Sequence, residues 1–211
     1  MSLETIYEAV LIGDAPMTVT EVKAALEKDV IARDILYQAC IPAMNEVGGL
    51  FEAGEKFIPE MLISARAMQA AMGILKPLLV STGVNTVGKV VLGTVAGDMH
   101  DIGKNLVGMM LKGAGFQIID LGVDVSADEF VSAVQEHQPD VIGMSALLTT
   151  TMDSIPITIQ SLTEAGVREQ VKIIIGGAPL TQDFADEVGA DGFAPDAGSV
   201  ARVAKTMVRV N

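Results

Sequence analysis

The chain has 211 residues, half of them hydrophobic, which is enough for a substantial core in one or two domains. A formal net charge of −13, the absence of tryptophan, only two tyrosines and the lack of any basic run argue against nucleic-acid binding, which needs cationic surface and aromatic platforms. A single cysteine excludes an internal disulfide or a multi-cysteine metal site, and no segment approaches the ~20 apolar residues that span a bilayer. A soluble, cytoplasmic protein is expected, with an acidic surface suited to partners that carry basic faces.

Residues 1 to about 85 read as helical. Thr18 or Thr20 is placed to cap a helix running through Val22, Ala25 and Leu26. A longer helix follows, with Ile31, Ile35, Leu36, Ala39 and Cys40 near helical spacing, where Cys40 reads as a small buried hydrophobe. The stretch 47–55, with Gly48, Gly49 and Gly54, reads as a break. Pro59 then fits the first turn of a last helix carrying Met61, Leu62, Ala65, Met68, Met72 and Leu75. Four helices with short connections imply a small bundle, and residues 81–88 read as a linker.

From Lys89 the period changes. Short β-branched runs at 90–95, 116–121, 141–144 and 171–175, and a weak one at Gly192-Phe193, alternate with helices near 102–114, 126–137, 153–165, 180–188 and 197–209. Nearly continuous apolar strands alternating with helices imply a five-stranded parallel sheet covered on both faces, a doubly wound α/β domain. The expected division is a helical domain at 1–87 and an α/β domain at 88–211. A ligand of such a domain belongs beyond the carboxyl ends of the strands.

The first strand runs into Gly97-Asp98-Met99-His100-Asp101-Ile102-Gly103-Lys104-Asn105. A lone histidine between strand and helix is compatible with a solvated or capping residue as well as with a metal ligand. Two features favour the ligand. Asp98 is placed to accept one imidazole N–H and leave the other nitrogen for a metal, and Gly103 removes a side chain where a bulky group would approach. The other histidine, His137, sits at a helix end and reads as solvated. One histidine cannot hold a bare zinc or iron ion, but it can hold a metal that arrives in a macrocycle with one axial position vacant.

Asp98-x-His100-x-x-Gly103, followed by Ser145-x-Leu147 and Gly176-Gly177, resembles the signature of the base-off, His-on cobalamin-binding fold, which is flavodoxin-like. The segment from Gly49 to Glu60 resembles the helical cap that precedes this fold in methionine synthase and in methyltransferase corrinoid proteins. The resemblance covers residues from about 5 to 209. It implies cobalamin as the cofactor and His100 as the lower axial ligand of cobalt, held by Asp98, with Thr151 where methionine synthase has a serine. It also places Gly97, Asp101, Ile102 and Gly103 against the cofactor. Ser145, Leu147 and Thr149 would line the slot for the displaced nucleotide, Gly176 and Gly177 would let backbone amides approach its ribose and phosphate (the pair also reads as a strand-to-helix turn), and Ala197 would close the slot near the fifth strand. Phe51, Ile58 and Met61 would cover the upper face of the cobalt; without the resemblance these three read as bundle core.

A cap and a cobalamin domain with nothing appended resemble the corrinoid subunit of a multicomponent methyltransferase, a methyl carrier and not a complete enzyme. The resemblance implies three partners. One is a substrate-specific methyltransferase that methylates cobalt(I), with an O-demethylase or methylamine system favoured. A second methyltransferase passes the methyl group to tetrahydrofolate or coenzyme M. The third is a reductive activating protein, in an anaerobic or low-oxygen setting. The competing readings are a cobalamin-dependent regulator without its DNA-binding module, the small subunit of an adenosylcobalamin mutase, and a flavodoxin-like domain without cobalamin.

Overall fold

The computed structural model describes residues 3–81 and 87–208. They fall into a helical unit, which also takes in Met109–Gly115, and an α/β unit. The linker expected at 81–88 lies mostly outside the described residues.

In the helical unit, α1 (Leu3–Ile12) buries Ile6, Ala9 and Val10, the spacing of a single helical stripe. Helix α2 (Ala15–Leu26) is capped by Asp14, whose Oδ1 accepts the Met17 N–H at 2.8 Å. Neither threonine is the cap. The chain turns at Gly13, so the helix starts earlier than expected. Thr18 and Thr20 lie inside it, donating to the Asp14 and Pro16 carbonyls at 2.8 and 3.0 Å.

Helix α3 is one helical run: Ala32–Ile35, a π turn over Leu36–Cys40, then Ile41–Glu52. The Ile41 N–H reaches back to the Leu36 carbonyl, and this wider spacing accommodates the ring of Pro42, which in α-helical register would press on the Gln38 carbonyl. The break expected at 47–55 begins later, because Gly48 and Gly49 are helical and the turn comes at Ala53-Gly54. Burial of Met44 and Val47 on the same run outweighs the roughly 1 kcal/mol that a glycine costs in a helix. Helix α4 (Ile58–Ser81) has Pro59 in its first turn and buries Met61, Ala65, Met68 and Leu75. Lys56 Nζ and Ser64 Oγ both donate to the Leu11 carbonyl at 3.0 Å, tying α4 to the end of α1. Cys40 is fully buried, and burial pushes its thiol pKa up to about 12, so it is a packing residue.

From residue 89 the chain alternates β1 (Lys89–Thr94), α5 (Ile102–Gly113), β2 (Gln117–Asp120), α6 (Ala127–His137), β3 (Val141–Ser145), α7 (Ser154–Glu164), β4 (Lys172–Gly176), α8 (Gln182–Val188), β5 (Gly192–Phe193) and α9 (Val200–Met207). The five strands are parallel in the order β2-β1-β3-β4-β5. Val91, Ile142, Ile173 and Ile175 form the core of the α/β unit with Phe130, Ile155 and Leu162 from the helices. Thr94 is the register partner of Ser145, and Ser145 of Gly176, so the loops after β1, β3 and β4 leave the sheet side by side. The order reverses between β1 and β3, the position where such sheets bind ligands.

Candidate functional site

Asp98 and His100 lie in the loop after β1, and Leu147 to Thr151 in the loop after β3. The Asp98 side chain has no solvent exposure, yet it is surrounded by donors. Its Oδ1 accepts the His100 N–H at 3.0 Å and the His100 Nδ1–H at 2.7 Å. Its Oδ2 accepts the Leu147 N–H at 2.7 Å and the Leu148 N–H at 3.3 Å, and Thr151 Oγ1 lies 2.9 Å away. Burial disfavours the charge, but the hydrogen bonds from Leu147, His100 and Thr151 outweigh it and hold the carboxyl well below the usual carboxylate range.

An ionised carboxylate can only accept, so the proton of the neutral imidazole sits on Nδ1 and the lone pair on Nε2. The ring is 50% exposed, and Nε2 has no partner among the described residues. The loop itself is pinned. Thr94 Oγ1 donates to the His100 carbonyl at 2.8 Å, and Asp124 Oδ1 accepts the Gly97 N–H at 2.7 Å while its own N–H donates to the Asp98 carbonyl at 2.9 Å. Asp124 adopts left-handed backbone (φ 55°), which an aspartate tolerates better than most residues.

Apolar side chains are exposed around this histidine: Met99 at 69%, Ile102 at 76%, and Leu147 and Leu148 at just over 40%. A Cβ on Gly103 would meet nothing within 4 Å. Among the described residues, no group of three or more His, Cys, Asp or Glu side chains is arranged to hold a metal ion. A metal at His100 must therefore bring most of its own ligands.

The family described as B12 binding domain matches residues 88–203, and a second B12 binding domain family matches residues 2–76. A corrinoid protein of Desulfitobacterium hafniense is 38% identical over 209 residues, covering 98% of this chain and 97% of that protein. The chain belongs to the B12-binding corrinoid proteins of methyltransferase systems. Its cofactor is cobalamin. Dimethylamine corrinoid protein 1 of Methanosarcina acetivorans is 43% identical over 191 residues, covering 89% of this chain and 90% of that one. In the methanol:cobalamin methyltransferase complex MtaBC from Methanosarcina barkeri, one chain superposes with a TM-score of 0.83 at 30% identity, over 99% of this chain and 80% of that chain.

The residues of this corrinoid protein fit the cofactor. One half-exposed imidazole nitrogen is oriented by a buried carboxylate, exposed hydrocarbon flanks it, and open space lies beside Gly103. Ser145, at the end of β3, is half-buried, and its hydroxyl makes no hydrogen bond with a described residue, leaving a donor and an acceptor for a ligand. Thr149 is exposed in a 3-10 turn. Gly176 ends β4, and Gly177 has a packing reason of its own: at φ 139°, a Cβ there would lie 1.9 Å from the Ala146 carbonyl oxygen. Ala197 is buried in the turn after β5. Asp101 accepts from the Asn105 side chain at 3.1 Å and from the Asn105 N–H at 2.8 Å.

Phe51, Ile58 and Met61 belong to the helical unit. Phe51 is half-buried near the end of α3 and Ile58 is exposed as the first residue of α4, whereas Met61 is enclosed in the bundle. His137 ends α6 with its ring partly exposed, 3.9 Å from Glu136. Sequence reasoning missed Thr94, Lys104, Asp120 and Asp124. The only signal for them was a lysine directly after Gly103, an aspartate ending the second strand and another in the loop beyond it.

Proposed function

We propose that this chain is the methyl-carrying subunit of a multicomponent methyltransferase, with His100 Nε2 as the lower ligand of cobalt. Bound cobalamin would supply the metal chemistry for moving a methyl group from donor to acceptor. The observation that carries the reading is the Asp98-bound imidazole at the β1/β3 switch point, with Nε2 facing away from the carboxylate. Asp98 keeps the Nδ1 proton in place and strengthens Nε2 as a donor; Thr151 and the Leu147 N–H keep Asp98 ionised. Ser145 offers its hydroxyl to the displaced nucleotide base. By the family pattern, Phe51, Ile58 and Met61 are the apolar candidates for excluding water from the bound cofactor.

The partners are a substrate-specific methyltransferase, a second methyltransferase delivering to tetrahydrofolate or coenzyme M, and a reductive activating protein. The names of the similar proteins favour a methylamine as the methyl source over a methoxylated aromatic. The test is to load the purified chain with cobalamin, reduce it under nitrogen, and offer methyltransferases for methylamines, methanol and methoxyarenes with their substrates. Methylation of the bound cobalt by a methylamine enzyme, followed by transfer to a thiol or folate acceptor, is expected. A loaded protein that accepts no methyl group from any of them contradicts the reading.

A further inference from the structure

Lys104 is a buried ammonium in the first turn of α5, four residues from His100. Its Nζ lies 2.7 Å from both carboxylate oxygens of Asp120, the last residue of β2, and 2.9 Å from Asn105 Oδ1. Burying an ammonium costs several kcal/mol, and a partner carboxylate that stays nearly half exposed offsets only part of that cost. An apolar residue at 104 would therefore serve the fold about as well. What the pair provides that a methionine does not is direction.

Two hydrogen-bonded routes run from it to the histidine. On one side, Asn105, which accepts from Lys104, donates its side-chain amide to Asp101 Oδ2 at 3.1 Å and its N–H to the Asp101 carbonyl at 2.8 Å. Asp101 is the next residue after His100. On the other side, Asp120 Oδ1 accepts the Gly122 N–H at 2.9 Å, the Gly122 carbonyl accepts the Thr94 N–H at 3.0 Å, and Thr94 Oγ1 donates to the His100 carbonyl at 2.8 Å. The segment 100–105 is thus closed in a ring of bonds anchored on two strand ends. Asp98 sets the tautomer and rotation of the imidazole; this second ring sets where its backbone stands.

We propose that Lys104 and Asp120 are positioning residues for His100, holding the backbone from which its Nε2 is presented to the cobalt. The proposal rests on the reading of His100 as the lower ligand. Loss of the pair weakens imidazole binding to cobalt by roughly tenfold, the scale found for partners that orient a metal-ligating histidine, while leaving the sheet intact.

The test uses the full chain grown with 15N-histidine, loaded with cobalamin and held in the cobalt(II) form. Electron paramagnetic resonance then separates the two axial donors: 15N-histidine splits each cobalt line into a doublet, the cofactor's own 14N base into a triplet. Wild type is expected to show the doublet. Lys104→Met is expected to keep its far-ultraviolet circular dichroism and its bound corrinoid but to show a doublet reduced relative to wild type. If Lys104→Met does not fold, Asp120→Asn takes its place with the same expected loss, since that side chain is nearly half exposed. A doublet of wild-type intensity in the folded variant overturns the proposal, and so does failure of both variants to fold, which would assign the pair to the fold. Absence of the doublet from wild type strikes instead at the ligand reading beneath, and takes the proposal down with it.

Discussion

Asp98 is fully buried, and five donors answer its charge: two backbone N–H groups of the β3 loop, the Thr151 hydroxyl, and the amide and ring of His100. Because its folded-state pKa is depressed, the unfolded chain takes up the proton first as pH falls. The stability it contributes is complete above the unfolded value of about 4 and drains away below it, as pH falls toward the folded pKa. Urea titrations between about pH 5 and 3 should show a steeper loss in wild type than in Asp98→Asn. Equal slopes would mean that the carboxylate is not held ionised. At neutral pH, Asp98→Asn should cost about 1–3 kcal/mol, because an amide cannot accept from all five donors. The Asp98–His100 pair was legible in the sequence because its members stand two residues apart in one loop. Thr151 came only through the family resemblance. Lys104 and Asp120 were not read, since their meeting depends on β2 lying beside β1, which spacing along the chain does not express.

At the scale of elements, the glycines separate fold from ligand. Gly177→Ala would force a Cβ into the Ala146 carbonyl and should destabilise the α/β unit by about 3 kcal/mol or more in urea unfolding. Gly103→Ala meets nothing and sits in a helix, so its unfolding free energy should hold or rise by up to ~1 kcal/mol while corrinoid retention on gel filtration falls. Retention equal to wild type would remove Gly103 from the site. Asp14→Ala should cost the helical unit about 0.5–2 kcal/mol, the worth of an N-cap, as read in thermal or urea unfolding; Thr20→Ala should cost less. The strands were legible to within a residue or two because their apolar runs are bounded by glycine and polar turns. Helix ends were harder. Asp14 caps α2 only because the chain turns at Gly13, and Gly48 and Gly49 stay helical only because the helix around them is buried. The first was written locally in Gly13-Asp14-Ala15-Pro16 and passed over, whereas the second is not a property of the local sequence.

At the scale of the molecule, the net charge of −13 bears on how partners arrive. Among the described residues no helix is long and apolar enough to cross a membrane. Partners with basic faces would be steered to this surface, so association with a cognate methyltransferase should slow as ionic strength rises from about 0.01 to 0.15 M, shortening the screening length from roughly 30 to 8 Å. Stopped-flow mixing across that range would reveal it, and a rate indifferent to salt would assign recognition to apolar contact instead. Everything else in the account depends on the metal being held where the sheet order reverses. The most direct measurement is the absorption spectrum of the chain reconstituted with cobalamin and freed of excess cofactor, beside that of His100→Ala. Wild type should retain cobalamin stoichiometrically, with a base-off, His-on spectrum that shifts in the variant. Identical spectra, or a folded wild type that retains no corrinoid, would contradict it.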